Sequence, residues 1–314
     1  MALTVLVPLD GSPLSQRALP FAAHLVAGGR GRLVLAHVQS SFYSDIPSYY
    51  DPVQDVDALR QEGVEATSFV YRAPLAEVAE VLDLAIREAA VDLVVMSTHG
   101  RGGLRRTILG SVADQLMRRA EVPVLLVPSA SEVSWQAQRP TQILVPLDGS
   151  PLAEQALAPA AGMARLLDAE ILLVRVLSPV LHPRYRGDKL TLSCADFVEV
   201  EDAWRYLSGV ADELRAGGCR TTFWVLVGSP AVAIESAARA EGADLIVMTT
   251  HGRGGLGRFL MGSTADGLLQ RSHVPILLVR SGAANDSTTA TATAMGVEIV
   301  TEAHGFAVTS TAKE

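Results

Sequence analysis

Short continuous apolar runs recur along the chain and predict β-strands. In the first half these Val-, Leu- and Ile-rich runs cover residues 3–7, 33–38, 67–71, 93–96 and 122–127. In the second half they cover residues 142–145, 170–176, 221–227, 245–248 and 274–279. Because apolar residues within a run do not alternate with polar ones, both faces of each strand are expected to be covered, as in a parallel sheet.

The segments between these runs have a helical pattern. Apolar residues recur there at spacings of three and four, for example over residues 13–27, 75–89 and 111–119. Alternation of strands with helices predicts an α/β fold built on a doubly wound parallel sheet, with helices on both faces. In such a fold a ligand binds at the carboxyl ends of the strands.

Two motifs occur twice, in the same order. VPLDGSPL at residues 7–14 recurs unchanged at 145–152, and THGRGGL at 98–104 recurs at 250–256. The repeat predicts two similar domains, joined by a polar linker and followed by a tail whose low hydrophobicity indicates disorder, with one transient strand as the alternative within residues 295–304. The expected boundaries are 1–128 for domain 1, 129–140 for the linker, 141–281 for domain 2 and 282–314 for the tail.

Composition excludes several classes of protein. The 314 residues carry a formal net charge of −8, so no overall positive field attracts nucleic acid or an anionic membrane. We find no apolar run of about 18 residues and no export signal, which predicts neither a membrane span nor secretion. Two cysteines 25 positions apart, without a histidine cluster, argue against a disulfide framework or a zinc site and suit a cytoplasmic location.

The first repeated motif places an acidic residue at a strand end. Asp10 and Asp148 each follow an apolar run and precede Gly-Ser-Pro, a tight turn that leads into a helix. Two interpretations are open. The carboxylate could accept a backbone N–H and cap the helix, or it could contact a ribose hydroxyl, an adenine amine or Mg²⁺.

The second repeated motif predicts a phosphate site. Its glycines lie between a buried strand and the next helix, where backbone N–H groups can approach a phosphate directly. The pairs Gly110-Ser111 and Gly262-Ser263 stand where that helix begins, and Arg101 and Arg253 add positive charge. The loop lacks the lysine of a P-loop, and no dinucleotide fingerprint follows the first strand, so neither of those nucleotide-binding classes applies.

Together these motifs resemble those of the universal stress protein family, within the adenine-nucleotide α-hydrolase-like superfamily, here as a tandem pair. The resemblance rests on LVPLDGSPLS with DLVVMSTHGRGGLRRTILGS, and on LVPLDGSPLAEQAL with DLIVMTTHGRGGLGRFLMGS. It implies a five-stranded parallel sheet of order 3-2-1-4-5 in each half, with the fifth strands paired across a pseudo-twofold axis. It also implies that ATP is bound, with or without Mg²⁺.

The resemblance assigns a set of nucleotide-binding residues to each half. In the first half these are Pro8, Leu9, Asp10, Val38, Met96, Ser97, Gly100, Arg101, Gly110, Ser111 and Val112. In the second half they are Pro146, Leu147, Asp148, Val176, Met248, Thr249, Gly252, Arg253, Gly262, Ser263 and Thr264.

The two halves depart from the family pattern to different degrees. Nucleotide-binding members carry G-x2-G-x9-G-[ST], whose first glycine is Ser97 in one half and Thr249 in the other. A V-x-G-type turn after the third strand is matched over residues 225–228 but is replaced over residues 70–72. Two unequal sites are therefore expected.

Other reactive side chains fit structural roles better than catalysis. No carboxylate follows His99 or His251 within ten residues to orient it as a base, and Ser12 and Ser150 lack the motif of a nucleophilic serine. We expect these serines in the first turn of a helix. The aromatic cluster at residues 42–50 is interpreted as a lid or an interface, with core filling as the alternative.

Three hypotheses about function follow. The first is a stress-response regulatory protein that binds an adenine nucleotide, changes conformation or partner affinity on binding, and acts as a homodimer with a further protein partner. The second is an enzyme, a slow ATPase or phosphotransfer protein. The third is a scaffold that dimerises without nucleotide. The missing catalytic constellation favours binding, with at most weak ATP hydrolysis.

Overall fold

The computed structural model describes residues 2–40, 50–73, 78–98, 109–129, 131, 133, 135, 141–177, 194–250, 262–280 and 298–300. The elements of the first half are β1 (Leu3–Leu9), α1 (Pro13–Gln16), α2 (Leu19–Val26), β2 (Gly31–Ser40), α3 (Pro52–Gln61), β3 (Ala66–Ala73), α4 (Val78–Glu88), β4 (Leu93–Ser97), α5 (Ser111–Arg119) and β5 (Val124–Val127).

The second half repeats this order. Its elements are β6 (Gln142–Pro146), α6 (Pro151–Glu154), α7 (Leu157–Leu167), β7 (Glu170–Leu177), α8 (Cys194–Ala216), β8 (Thr221–Val227), α9 (Pro230–Ala240), β9 (Leu245–Thr250), α10 (Ser263–Arg271) and β10 (Ile276–Arg280), followed by β11 (Glu298–Val300). Every strand predicted from an apolar run is confirmed, with its ends within about two residues of the expected positions.

All strands belong to a single sheet of order β11-β3-β2-β1-β4-β5-β10-β9-β6-β7-β8. Each half keeps the expected order 3-2-1-4-5 with parallel neighbours. The fifth strands of the two halves, β5 and β10, pair antiparallel as the family resemblance implies, with Leu126 opposite Ile276 and Val124 opposite Leu278, so the two five-stranded sheets are continuous. Both strands are short and apolar, so each covers the edge that the other would expose.

Two apolar cores cover the two faces of the sheet. In β1, Val5 and Val7 contribute to one core while Leu6 contributes to the other, and all three are fully buried. In β5, Leu125 and Leu126 divide in the same way. This arrangement confirms that the strands are covered on both faces, as their continuous hydrophobicity predicts.

The helix expected over residues 13–27 is two helices, α1 and α2, that meet at a break after Arg17. Pro20 stands in the first turn of α2. A proline cannot donate the N–H that would continue α1, and its ring would clash with the carbonyl group four residues earlier. The second half breaks in the same way between α6 and α7, where Pro159 lies in the first turn of α7.

The segment predicted as a linker contains a tryptophan that contacts both halves. The Trp135 side chain is 8% exposed, and its ring packs edge-on against Phe21 and His24 of α2 at centroid distances of 5.1 and 5.8 Å. On the other side its indole N–H donates to the carbonyl oxygen of Asp244, just before β9, at 3.1 Å. A polar linker therefore carries one of the apolar anchors between the halves.

Part of the tail predicted to be disordered forms a strand. β11 pairs antiparallel with β3 at the outer edge of the first half, with Ile299 opposite Tyr71. The other tail residues, 282–297 and 301–314, lie outside the described residues. None of the helices that the structure describes is both long enough and apolar enough to cross a membrane.

Glycine positions in two helices allow a matched stability test. A Cβ built on Gly267 in α10 would lie 2.6 Å from Cβ of Ala231 in α9, whereas one on Gly162 in α7 meets nothing within 4 Å. Gly162→Ala should therefore stabilise the protein by about 0.5–1 kcal/mol through helix propensity. Gly267→Ala should destabilise it by about 1 kcal/mol or more, because overpacking outweighs the same gain. Urea denaturation of the two variants measures the difference, and equal effects would contradict the close approach of α9 and α10.

Equivalent carboxylates of the two halves repel each other. Desolvation, and then the charge of Asp114 on α5, raise the pKa of Asp266 on α10 above its usual value of 3.8. The folded state thus favours protonated Asp266. Ionised Asp266 destabilises the protein to the full extent when the pH is above the folded-state pKa, and it has no effect when the pH is below the usual pKa. Asp266→Asn should raise the urea midpoint at pH 7, and this gain should shrink as the pH falls toward 4. A gain that grows on acidification would contradict the repulsion.

Candidate functional site

A crevice opens in each half where the order of the strands reverses. β1 pairs with β2 as far as Leu9, but it pairs with β4 only at Val5 and Leu6. In the second half β6 likewise pairs with β9 only at Ile143 and Leu144. The carboxyl ends of β1 and β4, and of β6 and β9, therefore separate at the point where doubly wound sheets bind ligands.

The repeated prolines explain why these ladders end. The N–H of Asp92, just before β4, donates to the carbonyl oxygen of Thr4 at 2.9 Å, so Thr4 faces β4. Because alternate residues of a strand face the same neighbour, Pro8 faces β4 as well and has no N–H to offer it. Leu147 donates to Val174 of β7 at 2.8 Å, so Pro146 faces β9 in the same way. Pro8 and Pro146 thus end the pairing of β1 with β4 and of β6 with β9.

The aspartates of the repeated motif shape the turn that borders the crevice. Asp10 Oδ1 accepts the N–H of Ser12 at 2.9 Å, and Asp148 Oδ1 accepts that of Ser150 at 2.8 Å. The interpretation of the aspartates as helix caps is wrong, because Ser12 caps α1 and Ser150 caps α6 through their own side chains. Ser12 and Ser150 thus stand directly before the first turn that we predicted for them.

The electrostatics of Asp148 favour its ionised form. Its partial burial alone would raise the pKa, but the hydrogen bonds from Ser150 and the nearby Arg175 guanidinium outweigh burial and lower the pKa below its usual value. The Asp148 residue is also more exposed than Asp10, which is half-buried. A carboxylate that is ionised and accessible suits recognition of hydroxyl or amine groups on a ligand.

The helices across each crevice have glycine as their N-cap residue, which offers no capping side chain. Gly110 precedes α5 and Gly262 precedes α10, both with extended backbone and no side-chain hydrogen bond to the first turn. The Gly110 N–H donates to the carbonyl oxygen of Thr98 at 2.8 Å, so α5 begins beside the end of β4. Ser111 and Ser263 are exposed in the first turn of these helices, where the first backbone N–H groups have no intrahelical partner and can bind an anion.

The predicted methionine and valine site residues lie in one core beside the crevice, whereas Leu9 and Leu147 belong to the other core. Met96 and Met248 are buried at the ends of β4 and β9, and Val38, Val112 and Val176 are half-buried against the same core. These side chains line the face of the sheet that carries α4, α5, α9 and α10. Leu9 and Leu147 are buried at the ends of β1 and β6. The remaining described site residues are Ser97, Thr249 and Thr264.

Part of the predicted site lies in the glycine-rich loops, outside the described residues. Gly100, Arg101, Gly252 and Arg253 lie outside the described residues, as do His99 and His251. Across the described ranges no group of three or more His, Cys, Asp or Glu side chains is arranged to hold a metal ion.

Sequence reasoning missed a basic side chain beside each aspartate turn. In the second half this side chain is Arg175 of β7. Its guanidinium carbon lies 5.2 Å from the ring centroid of Tyr206. The Tyr206 hydroxyl in turn donates to Glu154 at 2.9 Å. Gly149 has a φ of +86°, in the left-handed region that favours glycine, and a Cβ built there would be in ordinary van der Waals contact with Arg175 at 3.4 Å. Burial and the bond to Glu154 raise the pKa of Tyr206.

The first half places a histidine at the corresponding position of its second strand. The buried His37 ring lies 2.7 Å through Nδ1 from the carbonyl oxygen of Leu9, and it packs edge-on against Tyr50 at 5.0 Å. The Tyr50 hydroxyl donates to Asp55 at 2.7 Å. Tyr50 thus fills the core, while residues 42–49 of the aromatic cluster lie outside the described part. The only feature of the sequence that pointed to Arg175 or His37 was that each is a polar residue within an otherwise apolar strand.

Comparison with known proteins identifies the family. The model of the Universal stress protein family matches residues 1–128 and 140–280. The chain belongs to the universal stress protein family. A tandem universal stress protein of Mycobacterium tuberculosis is 28% identical over 302 residues, covering 88% of this chain and 96% of that protein. A second one from the same organism is 26% identical over 299 residues, covering 89% and 97%.

Solved structures of universal stress proteins share the fold. One from Pseudomonas aeruginosa superposes with a TM-score of 0.65 at 18% identity and covers 89% of this chain and 93% of its own. One from Archaeoglobus fulgidus superposes with a TM-score of 0.61 at 19% identity and covers 89% and 98%. These likenesses confirm the α/β architecture across both halves.

Proposed function

We propose that this universal stress protein binds an adenine nucleotide, ATP, in one or both halves and that occupancy regulates its conformation or its affinity for a partner protein. One observation supports this most: each crevice has an acidic turn on one side and an uncapped helix N-terminus on the other. The first suits the hydroxyl and amine groups of adenosine, and the second suits phosphate.

The proposal assigns different parts of ATP to different residues. Adenosine lies against Asp10 or Asp148, beside Val38 or Val176. The phosphates lie at the start of α5 or α10, where Ser111 or Ser263 and the backbone N–H groups bind them, and Mg²⁺ accompanies them when present. The glycine loops contribute Gly100 and Arg101 in one half, and Gly252 and Arg253 in the other.

The second half is the stronger of the two proposed sites. The Asp148 residue is more exposed than Asp10, and the positive charge of Arg175 supports its ionised form. At the corresponding position the first half has His37, whose ring is held against the Leu9 carbonyl oxygen. We expect tighter binding of ATP at Asp148 than at Asp10.

We further propose that the protein acts as a regulator in the cytoplasm, as a homodimer, with at most weak ATP hydrolysis. Cys219 is a buried free thiol, which suits a reducing compartment. The aspartate of each turn accepts a backbone N–H, a contact that suits a positioning role.

Ligand release from freshly purified protein tests the proposal. The protein is denatured without added nucleotide, and the released small molecules are identified by mass spectrometry. The purified apo protein is then titrated with ATP and Mg²⁺ in a calorimeter. We expect ATP or another adenine nucleotide in the release and one or two binding sites in the titration. The absence of adenine nucleotide from both measurements at millimolar ATP would refute the proposal and favour a nucleotide-free scaffold.

A further inference from the structure

The outer edge of β8 is the end of the sheet in the second half. Across the ranges that the structure describes, no strand pairs with this edge. The equivalent edge of the first half, on β3, is closed by the antiparallel strand β11, which places Glu298 opposite Arg72 and Val300 opposite Val70. Each half therefore has an equivalent outer edge, of which the one on β3 accepts an antiparallel strand and the one on β8 is open among the described residues.

The backbone of β8 presents hydrogen-bonding groups outward. Ile171 of β7 donates to the carbonyl oxygen of Arg220 at 2.8 Å, and Gly228 donates to that of Leu177 at 3.0 Å. The even-numbered positions of β8 therefore face β7, and the odd-numbered positions in between, such as Phe223 and Val225, direct their N–H and C=O groups to the open edge. These groups are a template for another strand.

The side chains at this edge are apolar and exposed. Trp224 is 46% exposed and Val227 is 65% exposed on β8. Trp204 of α8 is 56% exposed and packs edge-on against Phe223 at 5.7 Å. None of the seven residues of β8 carries a charge, although exposed edges are usually protected by charged side chains or proline.

We propose that β8 pairs antiparallel with β8 of a second copy of this chain, about a twofold axis at Trp224. In that register Trp224 lies opposite its own counterpart, Phe223 opposite Val225, and Thr222 opposite Leu226. The strand is self-complementary because no like charges meet and large apolar side chains pair across the interface. The same kind of antiparallel edge pairing already joins β5 to β10. This pairing rests on the homodimer proposed above, for which it supplies the interface, and it does not depend on nucleotide binding.

The molar mass of the full chain in solution tests the pairing. Light scattering during size-exclusion chromatography should give twice the 33.2 kDa of one chain for the unaltered protein. Trp224→Lys should give a monomer, since two lysines would face each other across the axis. Val232→Lys is the matched control: it changes an apolar residue of α9 that is 50% exposed, and it should remain dimeric.

A charge-reversal experiment separates loss of the interface from loss of folding. Trp224→Lys and Trp224→Glu proteins should each be monomeric and folded by circular dichroism, and an equimolar mixture should restore the dimeric mass. A monomeric unaltered protein would overturn the proposal. So would a dimeric Trp224→Lys variant, a mixture that remains monomeric, or dissociation on removal of residues 281–314 alone, which would place the tail at the interface.

Discussion

Replacing Gly262 with aspartate is expected to weaken ATP binding in the second half at least tenfold while the protein stays folded. Gly262 has φ −56° and ψ 150°, a backbone conformation open to any residue, and no side chain caps α10. Aspartate is a preferred N-cap, so stability should rise by a few tenths of a kcal/mol, about the difference between Asp and Gly at this position. The same carboxylate would bring a negative charge to the place proposed for the phosphates.

Calorimetric titration with ATP measures this prediction, and the repeat provides its controls. Gly110→Asp makes the same change at the start of α5 in the first half, so the two single variants and the double variant show which half binds. We expect no binding by the double variant. Gly262→Asn adds a similar cap without the charge and should lose less affinity than Gly262→Asp. Equal affinity of Gly262→Asp and the unaltered protein would contradict phosphate binding at α10.

Replacing Trp135 with alanine should lower the free energy of unfolding by about 3–5 kcal/mol, the usual cost of removing a buried aromatic side chain. The ring contacts Phe21 and His24 of one half, and its N–H bonds to the Asp244 carbonyl oxygen of the other. Its loss leaves a cavity between the halves and removes a hydrogen bond that links them. Urea denaturation followed by circular dichroism measures the loss.

Trp135→Phe is the matched control for this prediction. Phenylalanine keeps most of the packing against Phe21 but cannot donate to Asp244, so the loss should fall to the value of that hydrogen bond, about 1 kcal/mol, plus a smaller packing loss. If Trp135→Ala costs less than about 0.5 kcal/mol, the change usual for a surface position, Trp135 is not an anchor between the halves.

Local patterns were sufficient for the strands but less so for the helices. A run such as residues 3–7 must be buried on both faces wherever it lies, so its hydrophobicity predicts β1 without knowledge of its neighbours. The helix over residues 13–27 was placed correctly, but its break was missed. Periodicity describes which face is apolar, whereas the break depends on the backbone chemistry of Pro20.

The candidate site was predicted where its residues are adjacent in the sequence. The Asp-Gly-Ser turn and the Gly-Ser start of the next helix are both local, so Asp148 and Gly262 were identified from their motifs. Arg175 was not identified, because its neighbours come from distant segments: Tyr206 lies on α8 and Glu154 on α6. A lone arginine in a strand does not indicate which ring or carboxylate it will meet.

The sequence by itself determined the two repeated halves, their strands, their family and the end of the sheet at which we propose that a ligand binds. Tertiary structure alone decided that Trp135 of the linker is buried between the halves and that the edge of β8 stays open among the described residues. The physical reason is the distance along the chain over which each effect acts. Burial and turn chemistry act over a few neighbouring residues, whereas strand pairing and packing join residues that are far apart in the chain.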